Sequence, residues 1–145
     1  MNAALDGVPE IFSAEPLRFA GYAALFGVAD GAGDTIWPGA FRRSLAQLQE
    51  PLPLYWQHSA EQRIGWIESI AEDRRGLRII ARIDNPHGRA ALELRKRGVD
   101  GLSFGYRARH YRREVTGRHL HDVELFEISL VTHPLQHGAR VHLIG

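Results

Sequence analysis

Two hairpin signatures constrain this chain more than any other feature. In the first, Ile64–Ile70 alternates, with Ile64, Trp66 and Glu68 opposite Gly65, Ile67 and Ser69. Asp73–Arg74–Arg75–Gly76 then supplies turn chemistry, and Leu77–Ile83 returns. In the second, Leu102, Phe104, Tyr106 and Ala108 alternate with Ser103, Gly105, Arg107 and Arg109. Gly117 turns the chain into residues 119–132, a nearly continuous apolar run of the kind found in strands buried on both faces. Strands that adjoin strands through tight turns predict an antiparallel α+β or barrel fold, not alternating βαβ units.

The remaining elements fit around these hairpins. Leu17–Phe26 reads as a strand despite Gly21, and residues 27–39 as a long Gly/Asp loop. Pro38 starts a helix carrying Phe41, Leu45 and Leu48 and ending near Glu50, and Leu52–His58 is a short strand. Arg89–Arg97 is a second helix with Gly98 at its C-cap, and the tail after Pro134 is short. Residues 1–16 read as a loosely ordered leader, leaving 17–145 as a single domain.

With 145 residues and no cysteine, the chain excludes disulfide frameworks, thiolate zinc sites and cysteine nucleophiles. It has no apolar run of membrane-spanning length and no signal-peptide pattern, so the expected location is the cytoplasm. The net charge of +1 conceals a division. Residues 1–73 carry 4 basic and 10 acidic side chains, a balance of −6, while residues 74–145 carry 14 and 7, a balance of +7. Such asymmetry marks either a polyanion-binding half or two halves of one fold that attract each other.

Gly101–Leu102–Ser103–Phe104–Gly105 matches the G-x-S-x-G pattern of hydrolase nucleophile elbows. Here it follows a helix and precedes a strand, the wrong context for that elbow, so its glycines read as backbone freedom beside a hydroxyl. On its own Ser103 is a structural strand serine. A serine nucleophile needs a base and the base an orienting group. His58, at the end of an apolar strand, is the best base, although spacing alone also fits a surface histidine. Glu127 stands inside the apolar run Leu125–Val131, where a carboxylate is costly unless paired. It fits as the orienting acid or as the partner of an arginine; Glu124 and Asp122 are more solvated.

His119 and His121 share a strand face, but no H-E-x-x-H accompanies them or the His133/His137 pair, which Pro134 interrupts. Arg107, Arg109, Arg112, Arg113 and Arg118, interleaved with Tyr106 and Tyr111, read as a solvent face rather than a nucleic-acid surface.

Together these segments resemble the prohead (capsid maturation) protease family of tailed bacteriophages. The similar stretches are Phe19–Ala23 with Phe26, Asp34, Pro38–Phe41, Leu54–His58, Ile64–Gly65, Arg75–Leu77, Asp100–Tyr106 and Glu124–Thr132. The resemblance implies a herpesvirus-protease-like β-barrel with a few surrounding helices. It also implies a serine endopeptidase, without a cofactor, that cleaves capsid or scaffold protein inside an assembling prohead, and pairing into a homodimer. By the same implication His58 is the general base and Ser103 the nucleophile. Glu127 takes the third position, where the related viral enzymes use a histidine; Arg107 or backbone N–H groups are candidates for the oxyanion. A phage-like particle such as a gene transfer agent is a compatible setting. The rival expectation is a catalytically silent capsid-assembly or scaffold-binding domain of the same fold. The chain departs from the family after Thr132, where His133–Pro134–Leu135–Gln136–His137 follows.

Overall fold

A computed structural model describes residues 15–145; the expected leader lies almost wholly outside the described residues. Among the described residues eight strands form a single sheet: β1 (Leu17–Leu25), β2 (Asp34–Ile36), β3 (Pro53–Trp56), β4 (Ser59–Glu72), β5 (Gly76–Ile83), β6 (Gly101–Glu114), β7 (Gly117–Val131) and β8 (Val141–Ile144). Among the described residues two short helices, α1 (Arg42–Ala46) and α2 (Arg89–Arg95), accompany the sheet. The strand order is β2-β7-β3-β4-β5-β1-β8, with β6 paired to β7. Most pairings are antiparallel; β2 and β3 run parallel to β7.

The sheet curls into a half-barrel around Phe19, Phe41, Leu54, Leu77, Ile79, Leu102, Leu120, Ile128 and Leu130, all essentially buried. Residues 139–141 span from β1 to β6: Tyr22 N–H donates to the Arg140 carbonyl, and Leu102 N–H to that of Ala139. Gly21 makes this approach possible. A Cβ there would lie 2.5 Å from the Arg140 carbonyl oxygen, so the glycine that weakens the strand reading is a packing requirement.

The alternation of β6 is as expected, with Leu102, Phe104, Tyr106 and Ala108 on the core side. The turn at Asp73 is too: its carboxylate accepts from Arg75 N–H at 2.8 Å and Gly76 N–H at 3.2 Å. Four local expectations change. The helix expected from Pro38 to near Glu50 is reduced to the five residues of α1, after a turn over 38–41. The Gly/Asp loop contains β2, whose three residues find a parallel partner in β7 that their own sequence does not announce. The tail contains β8, added to the edge beside β1. Gly98 is not the left-handed residue ending α2. Arg97 takes that conformation (φ 61°), and Gly98 N–H closes the last turn onto the Glu93 carbonyl at 2.9 Å.

The charge division is in part internal. Arg118 with Asp34, Arg43 with Asp122 and Arg82 with Glu68 are ion pairs between the acidic and basic halves.

Candidate active site

Of the residues singled out in the sequence, Ser103 lies on β6, Glu127 on β7 and His58 in the turn that follows β3. β3 runs beside β7 with Leu54, Tyr55 and Trp56 in register with Ile128, Ser129 and Leu130. On the other side of β7, Ser103 of β6 is opposite Ser129 and Gly105 is opposite Glu127. Leu102, Phe104, Ile128 and Leu130 belong to the core. Because strand side chains alternate, Ser103, Gly105, Glu127 and Ser129 share the opposite face.

A bulge makes this arrangement possible. Gly105 pairs with Glu127 and Tyr106 with Leu125, so Phe126 is the extra residue. Val123 and Leu125 face the core before it, Ile128 and Leu130 after it, and the side-chain sequence changes phase at Phe126. Strict alternation from Leu125 would have buried Glu127 among the aliphatic residues; the bulge turns it outward. Phe126 is itself exposed.

The glycines of the G-x-S-x-G match supply space rather than backbone freedom, since neither Gly101 nor Gly105 has a positive φ. A Cβ at Gly105 would lie 2.6 Å from Glu127 Oε1, and one at Gly101 would lie 2.6 Å from Pro134 Cδ. The Glu127 carboxylate thus lies over the gap left by a missing side chain.

His58 follows β3 in a two-residue turn closed by the Trp56–Ser59 pair. Gln57 and His58 both have positive φ, 52° and 62°. This is the hairpin geometry that Asn-Gly adopts easily. For residues with a Cβ the left-handed conformation costs about 1–2 kcal/mol each. Surrounding bonds hold it. The Gln57 amide donates to Thr132 Oγ1 at 2.6 Å and accepts from Thr132 N–H at 3.1 Å; His58 N–H donates to Ser129 Oγ at 3.1 Å.

The imidazole meets the carboxylate directly, His58 Nδ1 lying 2.7 Å from Glu127 Oε1. Glu127 is 8% exposed, and its second oxygen accepts from the Ser129 hydroxyl at 2.7 Å. An ionised carboxylate only accepts, so the proton in the contact is on Nδ1 and Nε2 remains available as a base. The hydrogen bond to Glu127 raises the His58 pKa above its ordinary value, against the opposing effect of burial. Ser103 is 5% exposed, and its hydroxyl has no hydrogen-bond partner among the described residues. The arrangement can accept a proton at Nε2 and hold the imidazolium against the Glu127 carboxylate, with the Ser103 hydroxyl on the strand paired to that of Glu127.

The other candidates are engaged elsewhere. Glu124 accepts from Arg107 and from Arg109, the latter at 3.0 Å, so Arg107 is held four residues along β6 from Ser103. Asp122 pairs with Arg43. His119 accepts at Nδ1 from the Trp37 indole N–H at 2.9 Å, and its Nε2 lies 2.9 Å from Glu114. Ser129, Gln57 and Thr132 were not singled out in the sequence. The available signal was a serine two residues after Glu127, the spacing that puts both on one strand face.

The sequence model of the caudovirus prohead serine protease family matches residues 9–144. The chain belongs to that family. Among curated proteins, the prohead protease of enterobacteria phage HK97 is 32% identical over 130 residues, 85% of this chain and 58% of the phage protein. The chain therefore spans less than two thirds of that relative. Among solved structures, the protease of Kaposi's sarcoma-associated herpesvirus (KSHV), in complex with a hexapeptide phosphonate inhibitor, superposes with a TM-score of 0.60 at 17% identity. That alignment covers 90% of this chain and 65% of the viral one. Varicella-zoster virus protease gives 0.60 at 18% identity, covering 88% and 64%. The half-barrel of this prohead protease family member is thus the herpesvirus protease fold.

Proposed function

We propose that the chain is a serine endopeptidase that cleaves capsid or scaffold protein within the assembling head of a phage or phage-like particle. The observation that carries the reading is the His58–Glu127 contact at 2.7 Å, which leaves Nε2 free, with Glu127 on the strand that pairs with the one bearing Ser103. Membership of a prohead serine protease family supports it, as does the likeness to the HK97 protein.

In the proposed mechanism His58 Nε2 takes the Ser103 hydroxyl proton as Oγ attacks the scissile carbonyl carbon. Glu127 fixes the ring and stabilises the imidazolium. Collapse of the tetrahedral intermediate returns the proton to the leaving amine. Water, deprotonated by the same Nε2, then hydrolyses the acyl-enzyme and restores Ser103.

The test is co-expression with the capsid and scaffold proteins of the same particle, comparing the wild type with Ser103→Ala. Trimming by the wild type alone supports the assignment. Equal trimming in both would remove Ser103 from the nucleophile position. No trimming in either favours the catalytically silent capsid-assembly domain.

A further inference from the structure

We infer that Ser129 is a positioning residue, tying the backbone of His58 to the carboxylate of Glu127; the inference rests on the proposed roles of Ser103, His58 and Glu127. Its hydroxyl accepts from His58 N–H at 3.1 Å and donates to Glu127 Oε2 at 2.7 Å. A serine hydroxyl has one proton to give, and here it goes to the carboxylate. Ser129 is fully buried, so water cannot readily replace either bond.

The location of the two bonds gives them a catalytic meaning. His58 sits in a left-handed turn that its side chain disfavours, and its N–H is held by Ser129. Glu127 has two oxygens; one meets the ring of His58 and the other meets Ser129. Backbone, ring, carboxylate and hydroxyl therefore close a loop that fixes the imidazole at both its root and its Nδ1. Ser129 is also directly opposite Ser103, so the residue fixing the base is in register with the proposed nucleophile. Ser129 has no role in bond making. It sets where Nε2 points.

The experiment measures phosphonylation of the full chain by a fluorophosphonate, followed by intact mass, together with the His58 ring tautomer by nitrogen-15 NMR. Ser129→Ala is expected to lower the maximal phosphonylation rate about 10- to 100-fold, the effect of misplacing a reacting group by roughly an ångström, while reagent affinity stays the same. The single Nδ1–H tautomer of neutral His58 is expected to give way to a mixture. In a His58→Ala background the same change is expected to cost less than about 2-fold, because a residue acting through another has no effect once that residue is gone. Should Ser129→Ala not fold, Ser129→Cys preserves volume while weakening both bonds, and its smaller rate loss should likewise vanish without His58.

An equal loss in both backgrounds, or a wild-type tautomer in a folded Ser129 variant, would overturn the inference. The underlying reading fails separately: if Ser103→Ala is labelled as fast as the wild type, Ser103 is not the nucleophile, whereas the tautomer still reports on what Ser129 does to His58.

Discussion

Replacing Gly105 with alanine separates the stability of the fold from the integrity of the site. The added Cβ would lie 2.6 Å from Glu127 Oε1 and 3.1 Å from both Cγ and Cδ. Ordinary van der Waals contact begins at 3.4 Å, so the carboxylate oxygen must retreat by about 0.8 Å (3.4 less 2.6). Taken along the direction of His58, that lengthens the 2.7 Å contact to about 3.5 Å, beyond a hydrogen bond. The colliding atoms are the end of a side chain, so the fold can yield where a backbone clash could not. Losing a charge-assisted bond costs about 1.5–3 kcal/mol in full, and about 1 kcal/mol here because the His58 ring is half exposed. In a chain of this size that is a fall in Tm of about 2–4 °C. Catalysis should suffer far more, about 100-fold or greater, since the base loses its orienting group. The assays are thermal denaturation, fluorophosphonate labelling of Ser103 and NMR titration of His58, whose pKa should fall back toward about 6.5. Gly65→Ala is the control, since its Cβ would lie 1.8 Å from the Arg82 carbonyl oxygen, and that variant should not fold. Undiminished labelling of folded Gly105→Ala, with the His58 pKa still raised, would refute the reasoning.

Other consequences follow from the charged groups. Because Glu127 raises the His58 pKa, activity should appear only as pH climbs through that raised value and the imidazole becomes neutral. The stability given by the ion pair has the opposite sign. It is fully present below the unfolded histidine value of about 6.5 and is lost as pH rises through the folded one. Glu127→Gln should move the onset of labelling to lower pH while lowering its plateau, as a pH–rate profile would record. At the far end of β7, Asp34 is 4% exposed, accepts from Arg118 at 2.8 and 2.9 Å, and also accepts from the Tyr106 hydroxyl. The Arg118 bonds hold the Asp34 carboxyl below its ordinary range, so its contribution is present above about pH 3.9 and lost as pH falls through the folded value. Asp34→Asn should cost about 2 kcal/mol at pH 7, below the roughly 3–5 kcal/mol of a fully buried pair because the Arg118 side chain is 31% exposed. Urea denaturation at pH 7 and pH 3 should show that difference shrinking with acid.

The two hairpins were legible because local sequence determines them, whereas Ser103 and His58, locally a strand serine and a surface histidine, stood out only through the family resemblance. Alternation fixes β6, a Gly-containing turn joins β4 to β5, and an isolated carboxylate in an apolar run demands a partner. What could not be read depended on neighbours distant in sequence. β2 has three residues, and only pairing with β7 makes them a strand. The G-x-S-x-G match suggested conformational freedom, yet Gly105 serves a carboxylate that arrives 22 residues later in the chain, on β7. The phase change at Phe126 is lost when residues 119–132 are read as one apolar run, although Val123–Glu124–Leu125 and Glu127–Ile128–Ser129–Leu130 each alternate and meet at the adjacent Leu125 and Phe126. The same limit explains why Ser129 escaped notice. In an apolar strand a lone serine has too little charge to demand an explanation, whereas Glu127 does. Its significance appears only when β3 is laid against β7 and the N–H of His58 arrives at its hydroxyl. The charge division has a related resolution. The proposed base comes from the acidic half, and the proposed nucleophile and acid from the basic half. Arg118–Asp34 and Arg82–Glu68 join a base of the basic half to an acid of the acidic half, whereas Arg43–Asp122 and Arg63–Asp84 pair the halves in the opposite sense. Two such pairs neutralise a small part of the −6/+7 asymmetry within the molecule.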